Sequence, residues 1–393
     1  MKKHYVLVIA LVLSCNTALA SLKNKVQDAT NEYLATRFLN AAFMFADDKD
    51  LLVLGAHGAY DRHGNQMKPA QKMPIASATK PMTAVAILKL QERKALNVKD
   101  KVIKYLDDEC GLWSGNKAPA WASKITLHHL LTHTSGLAEY AMVMDIDSSK
   151  EHKEINKEIA CFAAEKPVEF KPGEKYKYTN TNFVLLGLII EKITGHNLEY
   201  FFQKELFEPL GMRSTHLASL EEALKIQNDQ DSMPYPHRYF VIPTGNKIPE
   251  FKPAKIDFIL VPFADGGVIS NVRDMIKWNQ ALHDGKLLSA ASYRLMTTKY
   301  IQTPEKAGHK THIGYGLFIS ELDDGSVMYH HAGGAAAIRS ESGYIPAKNF
   351  YFAILSNVMQ FVPEDQKDKI DLNKKENQLD IIYFREAILN AIK

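Results

Sequence analysis

Cysteine is scarce: the chain has 393 residues and three Cys, at positions 15, 110 and 161. That excludes a small disulfide framework and a Cys-rich metal scaffold. After the first twenty residues no stretch approaches about eighteen consecutive apolar positions, so no membrane-spanning helix is expected in the body. Neither sign of charge dominates, with 48 Lys+Arg against 45 Asp+Glu and a formal net charge of +3. A nucleic-acid binder usually carries a clustered basic excess, so no nucleic-acid partner is expected. Several catalytic signatures are missing as well. Without G-x-S-x-G the chain lacks the main signature of an α/β-hydrolase. Without G-x-G-x-x-G or a Walker A sequence it has no phosphate cradle, so no nucleotide cofactor is expected. His129 and His133 stand four apart, but the glutamate of an H-E-x-x-H site is absent and no metal is expected.

What remains is ordinary globular material, 46% hydrophobic and 24% charged. A chain this long buries roughly three quarters of its unfolded surface, so it needs no staples to build a core. Its length permits two domains, or one large unit with two lobes. Lys2 and Lys3, the apolar run Tyr5 to Leu13 and the small-x-small sequence Ala18-Leu19-Ala20 read as a signal peptide. Nine apolar residues cannot span a membrane core of ~30 Å. The expected division is a leader over 1–20 and one exported domain over 21–393, periplasmic or secreted. Val12-Leu13-Ser14-Cys15 offers a second cleavage, which leaves a lipoprotein anchored through Cys15. Export leaves Cys110 and Cys161 in an oxidising compartment. They form either a disulfide or two separate buried thiols, since Cys161 sits in the apolar helical patch Ile159 to Ala163.

Hydrophobic spacing predicts a helix over Val26 to Leu39 and two strands over Ala41 to Tyr60, joined by a turn at Asp47 to Asp50. Further helices are expected at Ser77 to Leu96, Ile125 to Leu131, Phe183 to Ile193 and Leu198 to Phe207. Prolines 234, 236, 243, 249, 253 and 262 exclude any long regular element between 225 and 262. Asn271, with Asp274 three residues on, marks a helix start that runs to about His283. A hairpin follows, Tyr315 to Glu321 with Val327 to His331, then a strand at Phe350 to Leu355 and an amphipathic tail helix from Leu379 to Ile392.

Three short motifs carry chemistry. In Ser77-Ala78-Thr79-Lys80 a helical turn puts hydroxyl and amine on one face. A lysine desolvated by apolar neighbours has its charged form disfavoured and can accept the serine proton. A second S-x-x-K, Ser114 to Lys117, lies in a Gly/Asn loop with no apolar helix behind it. Tyr178-Thr179-Asn180 is the one Y-x-N among the 17 Tyr. Its phenol can relay protons and its amide can hold both a lysine and a substrate carbonyl. His331-Ala332-Gly333-Gly334 ends a predicted strand in a small-residue run, where a substrate can approach backbone N–H groups. Each motif has a plain structural alternative: Ser77 or Asn180 as a helix cap, His331 as a strand-end histidine beside a glycine turn.

Taken in order, with 101 positions from Ser77 to Tyr178 and 153 from Tyr178 to His331, the three motifs resemble the penicillin-recognising serine hydrolases. Within them the chain looks like the branch of class C β-lactamases, D-alanyl-D-alanine carboxypeptidases and related esterases. Ile125 to Leu137, Gly266 to Ser270 and Leu355-Ser356-Asn357 are similar to the same framework. The resemblance implies an α+β, β-lactamase-like fold of two lobes: an antiparallel sheet flanked by terminal helices, and a helical lobe, with the site between them. It implies that Ser77 is the acylated nucleophile and that Lys80 and Tyr178 share the proton traffic. Asn180 would hold the substrate amide, with the N–H groups of Ser77 and Gly334 as the oxyanion hole. His331 would stand where many relatives place a lysine, followed by Gly333. Two departures matter. K-T-G is absent, and Lys171-Pro172-Gly173 and Lys306-Ala307-Gly308, the only K-x-G triplets, lie off the predicted strands. Ala337 replaces a glycine that relatives often have. A mostly neutral histidine lacks the ammonium that suits a β-lactam carboxylate, which shifts the expectation from β-lactamase towards peptidase or esterase. Tyr140, Tyr235, Arg238 and Arg339 are candidate cleft-lining residues. The expected partner is a small peptide, β-lactam or ester, handled by a carboxypeptidase-like peptidase, with a carboxylesterase or weak β-lactamase of the same fold, or a non-catalytic cell-wall binder, as the alternatives.

Overall fold

The computed structural model describes residues 22–393 apart from 62, 107–117, 142, 148, 229–236, 245–248, 254–262, 336, 365–367 and 369. The leader with Cys15, Cys110, the Ser114 to Lys117 loop and Tyr235 lie outside the described residues. α1 (residues 22–36) precedes the hairpin of β1 (Ala41–Ala46) and β2 (Leu51–His57). β3 (Met73–Pro74) leads through a 3-10 turn, Ala76–Thr79, into α2 (Lys80–Glu92). The middle is helical: α3 (Ile103–Leu106), α4 (Leu127–Leu131), α5 (His152–Glu165), α6 (Thr181–Thr194) and α7 (Leu198–Phe202). Short elements follow, β4 (His216–Leu217), α8 (Leu220–Asn228), β5 (Tyr239–Ile242), β6 (Glu250–Pro253) and β7 (Val268–Ser270). After α9 (Val272–His283) and α10 (Ala290–Met296) come β8 (Ile301–Gln302), β9 (Lys310–Ile313), β10 (Phe318–Glu321) and β11 (Val327–Ala335). β12 (Ile338–Ile345), β13 (Phe350–Ser356), β14 (Val358–Gln360) and α11 (Ile381–Ala391) complete the described chain.

Eight strands form one antiparallel sheet in the order β2-β1-β13-β12-β11-β10-β9-β8. Its two faces are read directly from period-two patterning. Phe43, Phe45, Phe350, Phe352 and Ile354 point to one side and pack with Tyr33 of α1 and Phe384, Ile388 and Leu389 of α11. Ala42, Ala46, Tyr351, Ala353 and Leu355 point to the other, against a larger core built from α2, α4, α6 and α9. The chain ends thus cover one face and the helical middle the other, which is the expected α+β arrangement. Two small sheets, β14-β5-β6 and β3-β7-β4, flank the main one.

Local chemistry explains most of the boundaries. Asn271 Oδ1 accepts the Asp274 N–H at 3.0 Å, and α9 starts where its cap predicts. α2 is buried on nearly every side, which is why its sequence shows no polar stripe. The expected helix at Ile125 to Leu131 shrinks to α4, because Thr126 caps it by accepting the His129 N–H. The Leu198 to Phe207 segment is α7 continued as a π-turn over Gln203–Phe207. The proline-rich stretch still carries β5 and β6, each of four residues, with Pro253 at a strand end where its missing N–H costs least. β12 is unannounced in the sequence: its Arg339 and Glu341 read as surface residues, yet Glu341 is buried and paired with Arg385 of α11. Cys161 is disulfide-bonded.

Candidate active site

The nucleophile candidate sits on a strained turn. Ala76 adopts φ 47, a left-handed conformation disfavoured for a residue with a Cβ. Such strain costs on the order of 1–3 kcal/mol and persists only where the surroundings impose it. Ser340 Oγ of β12 donates to the Ile75 carbonyl at 2.6 Å, which ties this turn to the sheet. A Cβ on Gly333 of β11 would lie 2.1 Å from the same carbonyl, so only glycine lets the strand come this close. Ser77 follows as the second residue of the 3-10 turn, half-buried, with Lys80 one turn later.

Lys80 is fully buried and donates three hydrogen bonds. They go to Ser77 Oγ at 2.9 Å, Asn180 Oδ1 at 2.8 Å and the Asp265 carbonyl at 2.6 Å. Burial pushes its ammonium down to about 8, while the charges of Asp265 and Glu139 hold it up. Asn180 stands at the N-cap of α6 but makes no side-chain cap, so its amide is committed to Lys80. Glu139 accepts the Asn180 N–H at 2.7 Å and so fixes the backbone there. Asp265 is itself 7% exposed; Tyr140 donates to its Oδ2 at 3.2 Å, and Oδ1 has no partner among the described residues. Burial raises its carboxyl to about 6 despite the opposing Lys80 charge, with Glu139 reinforcing the rise.

Tyr178 shares a hydrogen bond with Ser77, and burial pushes its phenol well up. The Lys80 ammonium lies 5.0 Å from the Tyr178 ring centre, and His133 stacks on that ring at 4.3 Å. His133 is buried, with its Nδ1 3.3 Å from the Thr179 N–H, and desolvation holds it neutral, far below its ordinary value. His331 closes the far side, its ring 6.5 Å from Tyr178 and stacked on Phe318 at 4.8 Å. Its Nδ1 donates to the Ala332 carbonyl at 2.7 Å, and burial keeps it neutral too. β10 pairs with β11 only as far as Phe318 opposite His330. From His331 through Gly333 and Gly334 to Ala335, β11 keeps β12 on one edge and has no strand on the other among the described residues. Gly334 is exposed beside this open edge.

The profile of the family described as Beta-lactamase matches residues 26–374, most of the chain. The chain belongs to the Beta-lactamase family. It is 25% identical over 302 residues to Penicillin-binding protein 4* of Bacillus subtilis (strain 168), a match covering 75% of this chain and 63% of that one. The match thus spans less than two thirds of that relative's length. Among solved structures it resembles the octameric penicillin-binding protein homologue of Pyrococcus abyssi, 27% identical, with a TM-score of 0.68 over 93% of this chain and 81% of that one. The fold is also that of the D-amino acid amidase of Ochrobactrum anthropi SV3, 20% identical, with a TM-score of 0.71 over 94% of this chain and 98% of that one.

Membership of this serine hydrolase family sits well with what the site can do: a buried amine, a phenol and a hydroxyl in mutual contact can pass a proton among themselves. The side chains sequence reasoning missed are those that tune it. Asp265 and Glu139 come from loops far from Lys80 in the chain, and their one signal is adjacency, Asp265 to Gly266-Gly267 and Glu139 to Tyr140. Of the candidate cleft residues, Tyr140 lies beneath the site on Asp265. Arg238 is buried and donates to the Ile226 carbonyl, so it is a packing residue. Arg339 is half-buried and bonded to Asp380. His129 and His133 part company: His129 Nδ1 accepts the Thr126 N–H at 3.3 Å, while His133 lies past the end of α4 against Tyr178. Ala337 takes φ 65, which explains why glycine suits that turn.

Proposed function

We propose that this chain is an exported serine hydrolase that forms an acyl-enzyme on Ser77 and acts as a D-alanyl-D-alanine carboxypeptidase-like peptidase. The observation that carries the reading is the buried Lys80 held between Ser77 Oγ and Asn180 Oδ1. With an amine at about 8, roughly a tenth is neutral at pH 7 and ready to accept a proton. In acylation Ser77 Oγ attacks the scissile carbonyl carbon and its proton passes to neutral Lys80. The carbon–nitrogen bond then breaks, and D-alanine departs with a proton delivered through Tyr178. Water, deprotonated by the same pair, cleaves the ester and restores Ser77. The N–H groups of Ser77 and Gly334 receive the oxyanion, and each such donor contributes about 3–4 kcal/mol in other acyl-transfer enzymes. Asn180 and the open edge of β11 hold the substrate amide. Export rests on the leader-like N-terminus and agrees with the disulfide at Cys161, since such bonds persist in oxidising compartments. No described helix is long and apolar enough to cross a membrane.

Fluorescent penicillin or fluorophosphonate is expected to label the protein, and Ser77→Ala is expected to abolish the label. Unchanged labelling of that variant overturns the assignment. An aryl ester compared with an acyl-D-Ala-D-Ala peptide separates peptidase from esterase, and a product burst equal to the enzyme excludes a non-catalytic binder.

A further inference from the structure

The described residues line an open cavity of about 710 Å³ between the β1–β2 hairpin, the loop over residues 210–214 and the start of α9. None of the side chains of the reactive site borders it. Four cations do, Lys49, Arg213, Arg273 and Lys277, against two carboxylates, Asp50 and Asp274, so two positive charges are left over. Asp274 is already committed. It is buried, accepts from the Ser214 N–H at 2.8 Å and from Thr215 Oγ1 at 3.1 Å, and pairs with Lys277 at 2.8 Å. Lys277 also donates to the Gly211 carbonyl at 2.7 Å. Among the described residues no ion pair and no side-chain hydrogen bond engages the Arg213 or Arg273 guanidinium or the Lys49 ammonium. Arg273 is moreover the second residue of α9, where the helix dipole disfavours a cation. Three like charges thus face one hollow, one of them at the less favourable end of a helix, and a multivalent anion between them would remove that repulsion. The rest of the wall is apolar, built by Met44, Leu51, Leu210 and Ile276. Leu51 is 42% exposed, a large apolar side chain open to solvent on this wall.

We propose that this cavity binds a small soluble molecule that carries a phosphate monoester on an apolar body. The charge count selects the head group. A phosphate monoester carries close to two negative charges at neutral pH, where a carboxylate carries one. Its three free oxygens accept from two planar guanidinium forks and an ammonium together, a match that a single carboxylate cannot make. The apolar wall covers the body of the ligand, and the cavity volume falls within the roughly 300–1,000 Å³ of small-molecule sites. The site stands independently of the acyl-serine reading, since it shares no side chain with it.

The test is calorimetric titration of the purified protein with phenyl phosphate at constant ionic strength. Benzoate, a monoanion of similar body, and inorganic phosphate, which lacks the body, serve as comparisons. One phenyl phosphate is expected to bind per chain, about tenfold or more tighter than either comparison ligand. Arg213→Gln and Arg273→Gln should each weaken it about tenfold, and the double variant should abolish it. Neither guanidinium is paired in the fold, so thermal unfolding of these variants should stay close to wild type and separate lost binding from lost structure. Lys157→Gln, on the exposed side of α5, should leave binding intact. Fluorophosphonate labelling of Ser77 supplies the location, and saturating phenyl phosphate should not slow it. Absence of binding at millimolar phenyl phosphate, undiminished binding by the double variant, or protection of Ser77 from the label each overturns the proposal. Sedimentation with phosphatidic acid vesicles without binding of phenyl phosphate would assign the cations to a membrane surface and overturn the small-molecule site.

Discussion

Two buried charge clusters lie on opposite faces of the sheet, and burial acts on both alike while the pairing makes the outcomes opposite. Around Lys80, the ammonium is pushed down to about 8 and the Asp265 carboxyl up to about 6, with Asp265 Oδ1 unpaired among the described residues. Around Glu341, burial alone would raise the carboxyl, but Arg385 and His330 outweigh it and hold the group at about 2. Arg385 donates to Glu341 and to Glu386, and Glu386 also meets His309 at 3.1 Å. His330 completes the set, with Nδ1 3.2 Å from Glu341 and Nε2 2.9 Å from Ser320 Oγ. The second cluster satisfies its charges and pins α11 to β12. The first leaves its charges close to neutrality, where a proton moves at little cost. Burial by itself therefore does not mark a site; the incompleteness of the pairing does.

The sharpest way to break this contrast is to make one substitution in both places. Lys80→Met is expected to lower acylation by about 10²–10⁴-fold, the range for losing a general base, with folding stability close to wild type. Arg385→Met is expected to cost about 3–5 kcal/mol in denaturant unfolding, because it strands a buried carboxylate. If Lys80→Met were the strongly destabilised variant, the contrast would fail.

Acid and base should act with opposite sign on the two clusters. Glu341 is lowered in the fold from 4.5 to about 2, so its stabilisation is present above pH 4.5 and is lost as pH falls towards 2. Lys80 is lowered from 10.5 to about 8, so its contribution to stability grows as pH rises from 8 to 10.5. Unfolding curves of Glu341→Gln and Lys80→Met across pH should flatten the acid and alkaline dependence respectively. The smallest effect expected is kinetic. The rate of acylation should climb with pH to a plateau above about 8. Asp265→Asn should move that limb to lower pH by about one unit, since it removes the largest charge favouring protonated Lys80. A limb that stayed in place would detach Asp265 from the proton chemistry.

The parts legible in the sequence are those fixed by short spacing. Ser77 and Lys80 share a helical turn, Tyr178 and Asn180 a loop, and Asn271 announces α9 through its own cap. The apolar runs at Ala41 to Ala46 and Phe350 to Leu355 marked two strands of the sheet, both buried along nearly their whole length. Illegible were contacts made only by folding. Glu341 reads as solvent-facing because its partner Arg385 is 44 residues away. Asp265 meets Lys80 across 185 residues. Lys306 belongs to a K-x-G triplet that lies on a turn and not on a strand, and only folding brings its ammonium over Phe318, the ring that stacks on His331.

The missing carbon at Gly333 has a consequence for the whole scaffold. The spacing between the nucleophile turn and the sheet is set by one hydrogen-wide gap and one serine hydroxyl, Ser340 on Ile75. It acts as a shim: alignment of the two halves is decided at this point of touch and owes little to the long connections between them. Insertions or deletions in the proline-rich connection before β7 should then leave the reactive geometry in register, whereas a single methyl at 333 would prise it apart.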